Sequence, residues 1–169
     1  MSLRNLAVAQ SGGPSMVINQ SLAGVVLAAK AAGPAVGRIL GARHGIDGIL
    51  KGDFVDLRRL STAKIEAIAA TPSSALGSCR HKPTEEDCDK ILAALLARKV
   101  GYFFYIGGND SADAARIVAE RAAATGVWSF TSRSQSIVFG TWTTWSGAPV
   151  AAARSATMRA ASAESLPPM

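Results

Sequence analysis

The segment Tyr102-Phe103-Phe104-Tyr105-Ile106 runs straight into Gly107-Gly108-Asn109-Asp110-Ser111. An apolar run ending in two glycines, an amide, a carboxylate and a hydroxyl is how a buried strand delivers a phosphate- or metal-handling loop to a sheet edge. The glycines leave room for a phosphate against the backbone. The amide oxygen of Asn109 is an acceptable ligand for hydrated Mg2+. Asp110 is able either to hold a metal through water or to repel part of a larger phosphate ligand. Asn109 and Asp110 also suit a helix start, and capping and binding are compatible.

Two further loops carry related chemistry. Gln10-Ser11-Gly12-Gly13-Pro14-Ser15 sets two glycines between an expected strand and an expected helix. There the helix N-terminus offers N–H groups and positive potential to an anion; an ordinary strand-to-helix turn has the same composition. Ala75-Leu76-Gly77-Ser78-Cys79-Arg80-His81-Lys82 gathers three basic residues at an expected strand end. The Arg80 fork suits phosphate oxygens, and a solvated basic turn is the alternative. Cys79 reads as a small buried residue, and His44 as a turn residue rather than a ligand.

Loops of this kind need strands to deliver them, and residues 1–126 alternate accordingly. Strands are expected over Leu3–Gln10, Val36–Ala42 and Val100–Ile106. Helices are expected over Pro14–Ala32, Ala63–Ala70 (capped by Ser61), Thr84–Arg98 and Ser111–Ala124, with a short helix or turn over Gly45–Leu50. The pattern predicts an α/β fold: three layers around a mostly parallel, Rossmann-like sheet, with ligands beyond the carboxyl ends of the strands.

Composition narrows the function classes. The net charge of +6 on 169 residues is scattered, with no basic block and no aromatic interleaving, which argues against nucleic acid. No apolar run is long enough to span a membrane, and Met1–Asn5 lacks the pattern of a secretory leader. Cys79 and Cys88 make neither a disulfide framework nor a zinc site, so a reduced, cytoplasmic setting is expected. The composition changes near residue 126. Residues 121–169 hold four Arg and one acid, Glu164, and the three tryptophans, Trp128, Trp142 and Trp145, cluster there.

Four ordered motifs resemble the phosphofructokinases, and most closely their pyrophosphate-dependent branch: Ala7–Asn19, Gly41–Gly48, Leu76–Arg80 and Tyr105–Ser111. The likeness covers residues 3–126 and the N-terminal half of that family's catalytic core, so the fold is expected to be an incomplete phosphofructokinase-like domain. The resemblance implies Mg2+-assisted phosphoryl transfer to the 1-hydroxyl of fructose 6-phosphate, in a glycolytic, cytoplasmic homo-oligomer without an organic cofactor. By position it makes Gly12, Gly13, Arg80, Gly108 and Ser111 donor-phosphate residues and Asn109 the metal position, where the family often has an acid. Asp110 stands where ATP-using members carry Gly; its charge and size oppose the α-phosphate of ATP and favour pyrophosphate.

Phosphoryl transfer to an alcohol also needs a group that accepts the hydroxyl proton. The resemblance places it in a Thr-Ile-Asp-Asn-Asp motif near residues 135–140. Here Arg133–Gly140 reads Arg-Ser-Gln-Ser-Ile-Val-Phe-Gly, and no carboxylate lies between Glu120 and Glu164. Ser129–Ile137 can be back-translated so that a frame two bases later encodes Leu-His-Val-Ala-Lys-Pro-Ile-Asp, close to the family's strand and its Lys-Thr-Ile-Asp. The expected organisation is therefore a donor-phosphate-binding half over residues 1–126 and an aberrant tail over 127–169, frame-shifted over roughly 127–150. On this view the base and the hexose-phosphate side are absent, and a poorly soluble or oligomeric product is expected. A fragment that binds phosphate without catalysis is the alternative function.

Overall fold

The computed structural model describes residues 5–12, 15–124 and 137–140. Five strands form one sheet: β1 (Asn5–Gln10), β2 (Ile39–Ala42), β3 (Phe54–Asp56), β4 (Val100–Ile106) and β5 (Ile137–Gly140). Their order is β3-β2-β1-β4-β5. The three central strands are parallel, and an antiparallel strand closes each edge. The helices are α1 (Ser15–Ala31), α2 (Ile46–Lys51), α3 (Thr62–Ala69), α4 (Glu85–Ala97) and α5 (Asn109–Ala124). Among the described residues no helix is long and apolar enough to cross a membrane.

β1 explains the layering. It is central, so both of its faces are covered, and its apolar run needs no polar alternation. Leu6 and Val8 pack with Ile18, Leu22 and Val26 of α1 and Ile65 of α3. Ala7 and Ala9 face the other way, into the layer of α2, α4 and α5. Small residues on that face make room for large ones across the ladder: Ala7 lies opposite Phe103 and Ala9 opposite Tyr105. The two rings stack with centroids 6.2 Å apart. A register shift between Asn5 and Leu6 accounts for Val100 and Phe103 sharing one face although they are three residues apart. Sheet and flanking helices thus form the expected three-layer α/β architecture.

Local signals set the helix starts. The Ser61 hydroxyl accepts from the Lys64 amide at the head of α3. Thr84 and Asp87 make a reciprocal capping box at the head of α4: Asp87 N donates to Thr84 Oγ1 at 3.2 Å, and Thr84 N donates to Asp87 Oδ2 at 3.0 Å.

Three expectations need correction. β2 begins at Ile39, not Val36, because a 3-10 turn over Gly33–Ala35 follows α1 and delays entry into the sheet. β3, which the sequence did not announce, is three half-buried residues on an edge, too short to leave a periodic signal. The segment carrying Arg80 does not follow a strand; between α3 and α4 the chain is irregular.

Candidate functional site

β1 and β4 are parallel neighbours, so their carboxyl ends release two loops side by side. Ser11 N donates to Ile106 O at 2.8 Å, and Gly108 N donates to Gly12 O at 2.8 Å. The two glycine loops are therefore tied backbone to backbone, and Gly12 and Gly108 are exposed. A Cβ added at Gly12 would meet open space; one added at Gly108 would have only Gly12 O at 3.8 Å. That open backbone is the shape an oxyanion needs. Gly107 differs: a Cβ there would overlap the Ser111 hydroxyl and press on Ser11. Gly107 is required for close approach, a role its dipeptide partner does not share.

Ser111 is buried at 4% exposure in the first turn of α5. The Tyr105 phenol, on the strand that leads into this loop, is influenced by the side chains of Ser11, Cys79 and Ser111. Burial pushes this phenol up to about 12, so it stays a neutral hydroxyl.

The third segment is drawn in by side chains. Gln10 and Asn19 are both fully buried. Gln10 Oε1 accepts from Leu76 N at 2.9 Å and Ser74 Oγ at 3.0 Å, while its Nε2 donates to Asn19 Oδ1 and Ile18 O. Asn19 Oδ1 also accepts from Ala75 N, and its Nδ2 donates to Thr71. His44 N donates to Leu76 O at 2.8 Å, from a turn with φ of 54°. The segment reaches both glycine loops: Ser11 Oγ donates to Cys79 O at 3.5 Å, and Lys82 Nζ lies 3.4 Å from Asp110 Oδ1. All three loops are thus linked pairwise at one end of the sheet.

Arg80 lines a cleft of about 230 Å3 beside these loops, with Arg43, His44, Asp47, Lys51 and Ser78. Asp53 also lines it, so three cationic side chains, Arg43, Lys51 and Arg80, stand against two carboxylates in this wall, a small excess that suits an anion. Next to Arg80, His81 bridges two carboxylates: Nδ1 to Asp47 Oδ1 at 2.7 Å and Nε2 to Asp87 Oδ2 at 3.1 Å. The hydrogen bond with Asp47, backed by Asp87, holds the imidazole above its ordinary value. Hydrogen bonds from Thr84, with His81 behind them, hold Asp87 below its own.

Gly12, Gly108 and Ser111 therefore converge, and Arg80 and Asp110 stand at the rim of the same sheet end. Gly13 lies outside the described residues, and of Asn109 only the backbone is described, as the first residue of α5. Cys79 is half-buried, not fully buried. Gln10, Asn19 and Tyr105 were missed as site-building residues. The available signals were an amide closing an apolar strand, an amide inside an apolar helix stretch, and a hydroxyl on the aromatic run.

The side chain of Asn109, the expected metal position, lies outside the described residues. Asp110 is 75% exposed and engaged by Lys82, and among the described residues no three His, Cys, Asp or Glu side chains converge to hold a metal.

The family profile described as Phosphofructokinase matches residues 5–143. A Rhodospirillum rubrum protein named pyrophosphate–fructose 6-phosphate 1-phosphotransferase is 51% identical over 118 residues, covering 70% of this chain and 29% of that protein. A Xanthomonas campestris protein of the same name is 44% identical over 131 residues, covering 75% and 31%. The crystal structure of a pyrophosphate-dependent phosphofructokinase from Nitrosospira multiformis superposes with a TM-score of 0.69 at 42% identity, covering 74% of this chain and 31% of that one. The chain spans about three-tenths of the length of the curated relatives it matches.

Proposed function

Because this chain belongs to the phosphofructokinase family, we propose that it carries the donor-phosphate side of a pyrophosphate-dependent phosphofructokinase. The observation that carries this is the pairwise joining of three loops, Gly12 to Gly108, Ser11 to Cys79 and Lys82 to Asp110, at the carboxyl end of a parallel sheet. The backbones of Gly12, Gly13 and Gly108 receive donor phosphate oxygens, with Ser111 at the head of α5 and Arg80 supplying a fork from the cleft. Asp110 sets donor choice: its carboxylate opposes a nucleotide's α-phosphate and leaves pyrophosphate favoured. The acceptor is fructose 6-phosphate at its 1-hydroxyl, in a cytoplasmic homo-oligomer. Mg2+ would enter as the counter-ion of pyrophosphate, with Asn109, by the family resemblance, the residue to meet it.

Residues 1–126 form this donor half, and residues 127–169 form a tail that departs from the family pattern. One observation favours binding without turnover. β5, at the position where the base is expected, contributes Ile137, Val138, Phe139 and Gly140 and runs antiparallel to β4, with Ile137 opposite Tyr105 and Gly140 opposite Tyr102. No proton acceptor stands on it. The test supplies the chain with fructose 6-phosphate, Mg2+ and either pyrophosphate or ATP, and measures fructose 1,6-bisphosphate alongside pyrophosphate binding by calorimetry. Saturable pyrophosphate binding without bisphosphate is the expected result. Turnover overturns the non-catalytic part, and no binding overturns the donor site. The coding DNA decides the tail: a reading frame encoding Ile-Asp across residues 129–137 is expected.

A further inference from the structure

His81 lies one residue beyond Arg80, where the irregular segment passes between α2 and α4. Its ring nitrogens meet Asp47 of α2 at 2.7 Å and Asp87 of α4 at 3.1 Å. Both contacts are hydrogen bonds to carboxylate oxygens, so both nitrogens donate only when the ring is an imidazolium. The two acids are anchored differently. Asp87 Oδ2 also accepts from Thr84 N and Thr84 Oγ1 in the capping box, so it stays on α4 whatever His81 does. Asp47 lines the cleft beside Arg80, and His81 is its ion-pair partner among the described residues.

We propose that His81 is a positioning residue whose imidazolium, bridging Asp47 and Asp87, fixes the Arg80 segment and masks the Asp47 charge, so that pyrophosphate binding at this cleft weakens as the ring loses its proton. This rests on the donor-site assignment and adds a protonation dependence to it. When His81 is neutral, one ring nitrogen presents a lone pair to a carboxylate. That contact turns repulsive, the bridge opens on one side, and Asp47 faces the cleft as an uncompensated anion.

His44 also lines the cleft, and its contribution is common to the parent and His81→Gln, so it cancels in their ratio. On α4, Glu85 is engaged by Arg121 and Glu86 by Lys90. Arg43 and Asp53, both lining the cleft, pair at 3.9 Å. Lys51 of α2, and Arg80 and Lys82 on the segment itself, are the other basic groups beside it. The sign is fixed by the direction of the shift: a histidine held above its ordinary value by two carboxylates supports the segment below that value, and the support is lost as pH rises through the raised one.

The test combines two measurements on the whole chain. The first follows the His81 ring by NMR against pH in the parent and in Asp47→Asn. The second measures pyrophosphate affinity at about pH 6 and about pH 8.5 in the parent and in His81→Gln, the ratio of the two cancelling the ionisation of pyrophosphate itself. The expected results are a raised His81 midpoint that falls in Asp47→Asn, and a parent-to-variant affinity ratio that drops roughly fivefold between the two pH values, as two partly exposed ion pairs allow. An ordinary midpoint unaffected by Asp47→Asn shows that no bridge forms and overturns the proposal. A raised midpoint with a flat ratio also overturns it, because the bridge then does not reach the anion. A raised midpoint with no pyrophosphate binding at either pH overturns the donor assignment beneath it, an outcome separable from the first two.

Discussion

The two glycine loops and the Arg80 segment meet at one end of the sheet, but they are held there by different means. The glycine loops leave adjacent parallel strands and are joined by backbone hydrogen bonds, Ser11 to Ile106 and Gly108 to Gly12. The Arg80 segment follows α3 with no strand behind it. It hangs on side chains: the buried Gln10–Asn19 pair at Leu76, Ala75 and Ser74, and the His81 bridge to α2 and α4. Backbone anchoring fixes the two glycine loops against each other. Side-chain anchoring gives a cationic arm whose position depends on a few polar groups, one of which titrates.

The largest break is expected at the buried amide pair. Asn19→Leu keeps the heavy-atom count and the branching but leaves Gln10 Nε2, Ala75 N and the Thr71 carbonyl short of a partner, at a cost of about 3 kcal/mol in stability. Hydrogen exchange checks the selectivity: Ala75 and Leu76 amides should exchange faster while Ser11 and Gly108 amides change no more than global stability requires. Equal loosening of all four would erase the difference between the two regions. Gly107→Ala is the converse break. Its methyl displaces Ser111, so pyrophosphate binding should weaken on the order of tenfold, as forced overpacking does. Calorimetric titration reads this, and unchanged affinity would mean that the glycine loops do not form the cradle.

Raising the pH should sharpen the contrast at smaller amplitude. Corrected for the intrinsic base catalysis of amide exchange, protection over Ser78–Lys82 should fall as the His81 bridge opens, with the protection of Gly108 unchanged. Below the ordinary histidine value no further gain should appear, since the ring is already charged. The smallest effect belongs to Lys82→Ala. The Lys82–Asp110 pair is exposed on both sides, at 77% and 75%, so thermal stability should stay unchanged in calorimetry.

The same contrast explains what could be read from the residues. β4 and its loop were legible because a continuous apolar run ending in Gly-Gly carries its own boundary. Helices α3 and α4 were legible because Ser61 and the Thr84–Asp87 pair are local signals. The Arg80 segment was recognised as basic but misplaced after a strand, because what positions it lies 56 to 66 residues away in Gln10 and Asn19. β3 and the surroundings of the Tyr105 hydroxyl depend on tertiary pairing that no local period encodes. Gly107 and Gly108 look equivalent in sequence; only the approach of Ser111 separates a packing glycine from an open one.

The central claim is that these loops form a donor site whose choice of pyrophosphate over ATP resides in Asp110. Equilibrium binding of pyrophosphate and of ATP to this chain, in the parent and in Asp110→Gly, tests it most directly. The account predicts saturable pyrophosphate binding well above ATP in the parent, and a gain in ATP affinity on the order of tenfold in the variant, as removal of a repulsive like charge gives. Equal ATP binding by parent and variant, or no pyrophosphate binding by the parent, would contradict it.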